Sequence, residues 1–268
     1  MNRTLLLSTT LLCALPLAAQ IPTPNPASQT PQATQPVPAN SEPTEIEKLQ
    51  AKLADWAQLG RYRTENADLP PVGAGEQRVV FYGDSITDAW GHGKDFFPDK
   101  PYFNRGISGQ TTPQMLVRFQ QDVVHLQPAA VIILAGTNDI AGNTGPETPA
   151  MIEDNFASMA AIAKYYDIRV IFASILPVYA YPWKPAVHPA EEIRALNAWL
   201  KDFCSHDGDL YLDYYDSLAD AEGGMKPGLS KDGVHPTAAG YAIMAPLAEN
   251  AIGEALKQGT QASAGGNR

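Results

Sequence analysis

The sequence predicts an α/β fold, a flavodoxin-like doubly wound sheet of five parallel strands. Three observations predict it. Short runs that are apolar on both faces recur along the chain, amphipathic helical stretches alternate with them, and small polar residues gather directly after the runs. Strands buried on both faces belong to parallel sheets covered by helices. Five of them suit an open doubly wound sheet and are too few for an eight-stranded barrel. With no internal repeat, a single domain over residues 69–258 accounts for the pattern.

The chain of 268 residues begins with one cation (Arg3), a largely apolar stretch from Leu5 to Leu17, and small residues Ala18-Ala19. That is the plan of a secretory signal peptide over residues 1–20, cut near Ala19 and too short for a comfortable membrane span. Leu12 precedes Cys13, where a lipoprotein signal places a small residue, so no lipid anchor is expected. Residues 21–43 are rich in Pro, Thr and Gln and lack the apolar content to offset ordering, so they read as an extended linker. Thr44 to Glu47 is a capping box, followed by Ile46, Leu49, Leu53 and Trp56 at helical spacing and Gly60 as a stop. A helix over Glu45–Leu59 follows, within a 44–68 segment expected to pack on the main domain, because an isolated helix of that length is marginal in water.

Beyond Pro70-Pro71 the strands are Arg78–Tyr82, Tyr102–Asn104, Ala130–Ala135, Ile168–Leu176 and Leu210–Tyr214. Between them, Thr112 caps a helix over Pro113–Leu126 with Met115, Leu116, Phe119 and Val123 on one face. Thr148 and Pro149 open a second with Ile152, Phe156, Met159 and Ile162 inside. Pro189–Ser205 is a third helix, Thr237 caps the last from Ala238 to about Leu256, and residues 259–268 read as a disordered tail.

The formal net charge of −10 argues against a nucleic-acid partner. Once Cys13 leaves with the leader, Cys204 is the one remaining cysteine, so no disulfide scaffold is expected; it lies beside an apolar helix face and reads as a buried structural thiol.

In an open parallel sheet, ligands bind beyond the carboxyl ends of the strands. Those positions hold Gly83-Asp84-Ser85, Arg105-Gly106-Ile107-Ser108-Gly109-Gln110, Gly136-Thr137-Asn138-Asp139 and, in the loop before the last helix, Asp232-Gly233-Val234-His235. The inventory suits acyl transfer. A serine hydroxyl needs a base to take its proton, and an imidazole needs an acceptor on its other nitrogen to fix the tautomer. Ser85, His235 and Asp232 supply that set. The backbone N–H groups of Ser85 and Gly109 and the side-chain amide of Asn138 are the candidate oxyanion donors. Each motif alone is a common turn; their joint occurrence at successive strand ends is the signal. Asp84 and Asp139 read as acceptors bracing the loops. Arg105 either anchors its loop or meets an acidic substrate group. Tyr179, Tyr181 and Trp183 follow the fourth strand on the same rim, as core or as substrate contacts. His92, His125, His188 and His206 stand outside the motifs, and no further His or Cys cluster suggests a metal.

The four blocks resemble those of the SGNH hydrolases, the GDSL esterase/lipase family: GDS with Ser85, GISGQTT with Gly109, GTND with Asn138, and DGVH with Asp232 and His235. The likeness spans about Val79 to Leu256, with Ile86 where the family nickname has leucine, and is greatest to the small bacterial branch resembling platelet-activating-factor acetylhydrolase subunits and carbohydrate acetyl esterases. It implies a three-layer α/β/α sandwich, a Ser–His–Asp mechanism, and neither metal nor organic cofactor. The α/β-hydrolase alternative lacks its G-x-S-x-G elbow. The expected function is an exported serine esterase acting on short acyl esters, with a small-molecule or carbohydrate substrate and no membrane span in the mature chain. A longer-chain lipase or thioesterase of the same fold, or a non-catalytic glycan-binding module, are the alternatives.

Overall fold

The computed structural model describes residues 43–92 and 96–265. The expected leader and, apart from its last residue, the expected linker, residues 1–42, lie outside them. Five strands form one sheet: β1 (Val79–Gly83), β2 (Tyr102–Gly106), β3 (Ala130–Leu134), β4 (Arg169–Ala173) and β5 (Leu210–Leu212). Their order is β2-β1-β3-β4-β5 and every pairing is parallel, the flavodoxin-like arrangement. In register, Gly83 of β1 lies beside Gly106 of β2 and Leu134 of β3, so three strand ends finish level.

Alternate strand residues feed two separate cores. Val80, Tyr82, Val131, Ile133, Val170 and Phe172 point to one face, beneath α4 (Thr112–Asp122), α6 (Pro149–Tyr165) and α7 (Ala190–Asp207). Val79, Phe81, Ala130, Ile132, Ile171 and Ala173 point to the other, beneath α9 (Ala238–Gly265). The sheet is therefore the middle layer of three, as expected. Cys204 lies buried on α7, and its burial pushes the thiol up to about 12.

Several boundaries move for identifiable reasons. β4 stops at Ala173 because the Asn197 carboxamide of α7 takes both the N–H and the C=O of Ile175, drawing the chain off the ladder. The helix expected through Leu126 ends at Asp122, and Val124–Leu126 forms a 3₁₀ turn. The last helix passes the expected stop near Leu256 and runs to Gly265 through Gln258–Ala264, which contains no proline; residues 259–265 are helical rather than a disordered tail, and 266–268 lie outside the described residues.

The N-terminal helix departs further. α1 covers Glu45–Ala54 behind the expected Thr44–Glu47 capping box, yet none of its residues is buried, and Ile46, Leu49 and Leu53 face outward. The contacts to the main domain are made by the segment after it. Glutamine side chains of the α4 region donate to its carbonyls: Gln110 to Ala57, Gln114 to Trp56 and Gln121 to Leu59. Tyr62 is fully buried and donates to Gly106 O, and Asn66, in α2 (Arg63–Ala67), bonds Asp122. Hydrogen bonds and the buried Tyr62 do the anchoring, not the apolar face of α1, so helical periodicity could not reveal it.

Beneath the level strand ends lies Arg118, with no solvent exposure. Its guanidinium donates to Gly83 O at 3.0 Å, Arg105 O at 2.9 Å, Gln110 Oε1 at 2.5 Å and Asp122 Oδ2 at 3.2 Å, and rests 4.2 Å from the Tyr82 ring centroid. Removing one partner of a buried ion pair leaves the other uncompensated. Arg118→Met should therefore cost about 3–5 kcal/mol in urea unfolding, and an Arg118→Met, Asp122→Leu double variant should recover part of that loss. A single variant as stable as the parent would show that the guanidinium does not carry the strand ends.

Candidate active site

Ser85 is set by a turn with no room to spare. β1 ends at Gly83, Asp84 caps the one-turn helix α3 (Ser85–Asp88) by accepting the Ile86 N–H at 2.9 Å, and Tyr241 of α9 donates to Ile86 O at 2.7 Å. A Cβ at Gly83 would meet Thr87 Oγ1 at 2.2 Å and Leu134 O at 2.7 Å; one at Gly106 would meet the Asp88 nitrogen at 2.2 Å. Glycine at both strand ends is what lets α3 press against the sheet.

His235 arrives from the loop before α9. Val234 is buried in the core and pins that loop. Asp232 Oδ1 accepts the N–H groups of Val234 (3.0 Å) and His235 (2.8 Å), while Oδ2 faces His235 Nδ1 at 2.7 Å. Across the cleft, His235 Nε2 lies 2.9 Å from Ser85 Oγ. With the imidazole proton on Nδ1, where the carboxylate holds it, Nε2 is the acceptor for the serine O–H. Partial burial works against the Asp232 charge, but the bonds from His235 and Val234 outweigh it and hold the carboxyl below its usual range. The three predicted residues are thus joined in one hydrogen-bonded chain.

The candidate donors surround the same turn. Gly109 has φ +80°, a left-handed conformation that glycine takes without strain. Among the described residues, neither the Ser85 nor the Gly109 N–H has a protein acceptor. Asn138 lies in α5 (Thr137–Ile140), after β3. Its Nδ2 donates to Gln110 O at 2.9 Å and, more weakly, to Asp84 Oδ2 at 3.3 Å; its Oδ1 accepts from Asn143 Nδ2 at 2.8 Å. Burial pushes the Asp84 carboxyl up to about 7 against the pull of the Ile86 N–H and His235. Asn143, which also reaches Gly109 O at 3.4 Å, was not singled out in the sequence; its one signal was a carboxamide five residues after Asn138.

The remaining candidates separate. Trp183 is half-exposed, with its ring centroid 6.4 Å from that of His235 and 5.2 Å from that of Tyr181. Tyr181 is fully buried with its hydroxyl on Thr137, so it supports Trp183 and offers no surface to a ligand. Tyr179 is exposed and lies against His188. Arg105 is buried, bonded to Asn66 Oδ1 and Asn104 O and stacked over Tyr62, contacts that brace the loop. Among the described residues, no group of three or more His, Cys, Asp or Glu side chains is placed to hold a metal ion.

Residues 81–243 match the family described as GDSL-like Lipase/Acylhydrolase. A Bacteroides fragilis protein described as an acylhydrolase is 44% identical, covering 75% of this chain and 98% of its own, with a TM-score of 0.73. A GDSL-like lipase of Bacteroides thetaiotaomicron is 43% identical over 75% of this chain and 100% of its own, with a TM-score of 0.72. An acetylxylan esterase of Geobacillus stearothermophilus shares the fold at 23% identity, over 69% of this chain and 97% of its own, with a TM-score of 0.56. No curated protein matches the sequence.

The buried position of Arg105 gives a direct test. Arg105→Ala should lower unfolding stability by roughly 1.5–3 kcal/mol through its lost charged hydrogen bonds. The ratio of KM values for an anionic and a neutral ester should stay constant; a rise confined to the anionic ester would return Arg105 to the substrate site.

Proposed function

The chain belongs to the GDSL-like lipase/acylhydrolase family, and from that footing we propose that it is an exported serine esterase removing short acyl groups, acetyl above all, from carbohydrate. The observation that carries the chemistry is the continuous Ser85–His235–Asp232 chain at 2.9 and 2.7 Å. Ser85 Oγ attacks the ester carbonyl as His235 Nε2 takes its proton, forming the tetrahedral intermediate. His235 then protonates the departing alcohol oxygen as the carbon–oxygen bond breaks, leaving an acyl-serine. Water, deprotonated by the same nitrogen, releases the acid and restores Ser85. Throughout, Asp232 keeps the tautomer and steadies the imidazolium.

The oxyanion takes the free N–H groups of Ser85 and Gly109. Asn138 joins them by transferring its weaker hydrogen bond, the 3.3 Å contact to Asp84, onto the developing charge. Burial raises the Asp84 carboxyl to about 7, so near neutral pH it carries its charge only part of the time and competes less for that hydrogen. The leaving-group preference rests on Trp183, whose half-exposed ring stands beside the imidazole where a sugar face can stack. Export rests on the leader-like residues 1–20.

A fluorophosphonate probe should label the parent and fail on Ser85→Ala; a labelled Ser85→Ala protein would move the nucleophile elsewhere. Asp232→Asn should lose about 10⁴ in kcat and Asn138→Ala about 10²–10³. In each, an unchanged rate removes that residue from the mechanism.

The substrate is tested separately with nitrophenyl esters of increasing chain length and with acetylated xylan. Activity should peak at acetyl, and Trp183→Ala should raise KM for the acetylated glycan while leaving that for the aryl acetate alone. A maximum at long chains would replace this reading with a lipase.

A further inference from the structure

Asp139 and Glu147 form a carboxyl pair in the same region, and the proposed esterase chemistry makes no use of it. Asp139 is the neighbour of Asn138 on α5 and is almost wholly buried. Its Oδ1 accepts both the N–H (2.8 Å) and the Oγ1–H (2.5 Å) of Thr112, at the first turn of α4. Its Oδ2 is buried with no donor, and so is Oε2 of Glu147. The two carboxyls nevertheless meet side chain to side chain. Two carboxylate oxygens are acceptors only, so a buried contact between them holds when one proton lies between them.

We infer that Asp139 and Glu147 share a proton, and that this carboxyl–carboxylate hydrogen bond positions Asn138 for the oxyanion. The bond closes a ring of contacts. Asp139 is tied to Thr112; the adjacent Thr111 meets Thr144 Oγ1 at 2.8 Å; Thr144 donates to Glu147 Oε1 at 3.1 Å; and Glu147 returns to Asp139. Asn138 hangs within that ring, one nitrogen contact on Gln110 O beside Thr111 and its oxygen on Asn143. While the proton is present, α5, the start of α4 and the 141–148 segment are one unit. When it leaves, two like charges face each other in a buried site and drive the ring open.

The surrounding groups do not neutralise the pair. From α6, Asn155 donates to Thr112 Oγ1. From the segment after β4, Tyr181 bonds Thr137, and the Lys184 ammonium is taken by the carbonyls of Ala141 and Gly142. From the β1 turn, Asp84 adds a further carboxyl on the Asn138 amide. Among the described residues, no cation pairs with Asp139. Burial, followed by the Glu147 charge, accordingly raises the Asp139 carboxyl well above its ordinary range, against the pull of Thr112. A raised carboxyl stabilises the fold fully at low pH, and that contribution is lost as pH climbs past the raised value.

The positioning role rests on the esterase reading, so the test has two arms. Infrared difference spectra of the whole protein should show a neutral carboxylic acid band persisting above neutral pH, absent from Glu147→Gln and Asp139→Asn. Absence of the band in the parent overturns the shared proton. In the second arm, kcat for a nitrophenyl acetate should fall at alkaline pH by roughly tenfold per unit beyond the pair's ionisation, with KM little changed. Both carboxamide variants keep a hydrogen bond in the contact without a proton to lose, so each should restore alkaline kcat and flatten the limb. Glu147→Ala, which has no replacement donor, should depress kcat at every pH. A parent without the limb, or a limb unchanged in Glu147→Gln, overturns the link to Asn138. A protein with the infrared band but no ester turnover would instead sink the esterase reading and leave the proton pair standing.

Discussion

Arg118 reaches under the carboxyl ends of β1 and β2 and bonds one carbonyl of each, Gly83 O and Arg105 O. The turns that carry Ser85 and Gly109 both hang from those ends. A guanidinium suits this place because its planar fork can serve several acceptors at once without moving. An ammonium there would offer a point charge and no fixed geometry. The cost of burying the charge is offset by Asp122, by Gln110, by two carbonyls and by the face of Tyr82. Gln110 is bound to Arg118 by its side-chain oxygen and to Asn138 by its backbone oxygen. The strand ends, the Gly109 loop and the Asn138 turn are therefore coupled through one buried cation.

This arrangement divides the molecule by chemistry. Away from the rim the two cores are apolar, and hydrophobic burial supplies their stability. At the rim, buried polar residues are concentrated: Asp84, Asn104, Gln110, Thr111, Thr112, Asn138 and Asp139 all have almost no exposure. Polar groups taken out of water cost free energy unless they are paired, and the pairing then restricts them to one geometry. That restriction suits the proposed oxyanion donors, since little reorganisation is left for the moment of reaction.

The sequence disclosed the sheet because strands buried on both faces leave an unbroken apolar run, and Val79–Tyr82 and Ala130–Leu134 are such runs. Ser85, Asn138, Asp232 and His235 were visible for a similar reason: each sits in a short motif after a strand or in the loop before α9. What stayed hidden was long-range and polar. Arg118 stands four residues from Asp122 and looks like half of a surface helical pair; only the fold places Gly83 O above it. The glutamines that seat the N-terminal segment act on carbonyls more than fifty residues away, and carbonyls have no sequence signature. The roles of Arg105 and Tyr181, structural or substrate-facing, stayed open on the same ground. Chain position put both on the rim, while burial turned one into the loop and the other beneath Trp183.

Asp232 and His235 show the opposite case, a hydrogen-bonded pair that is legible because it is local. Two N–H groups within three residues of Asp232 bind one of its oxygens and so aim the other at the imidazole. No distant element has to supply that orientation. Both side chains stay partly exposed, so their hydrogen bond works without the surrounding dry cage that Asn138 requires. The imidazole can therefore be carried by a loop, provided the loop is pinned, and Val234 pins it from between the two residues. Ser85 and the Gly109 loop differ in kind: their positions are set by strand register and by what lies under it. The hydrogen bond from Ser85 to His235 thus joins a self-contained turn to a rim assembled by the whole sheet.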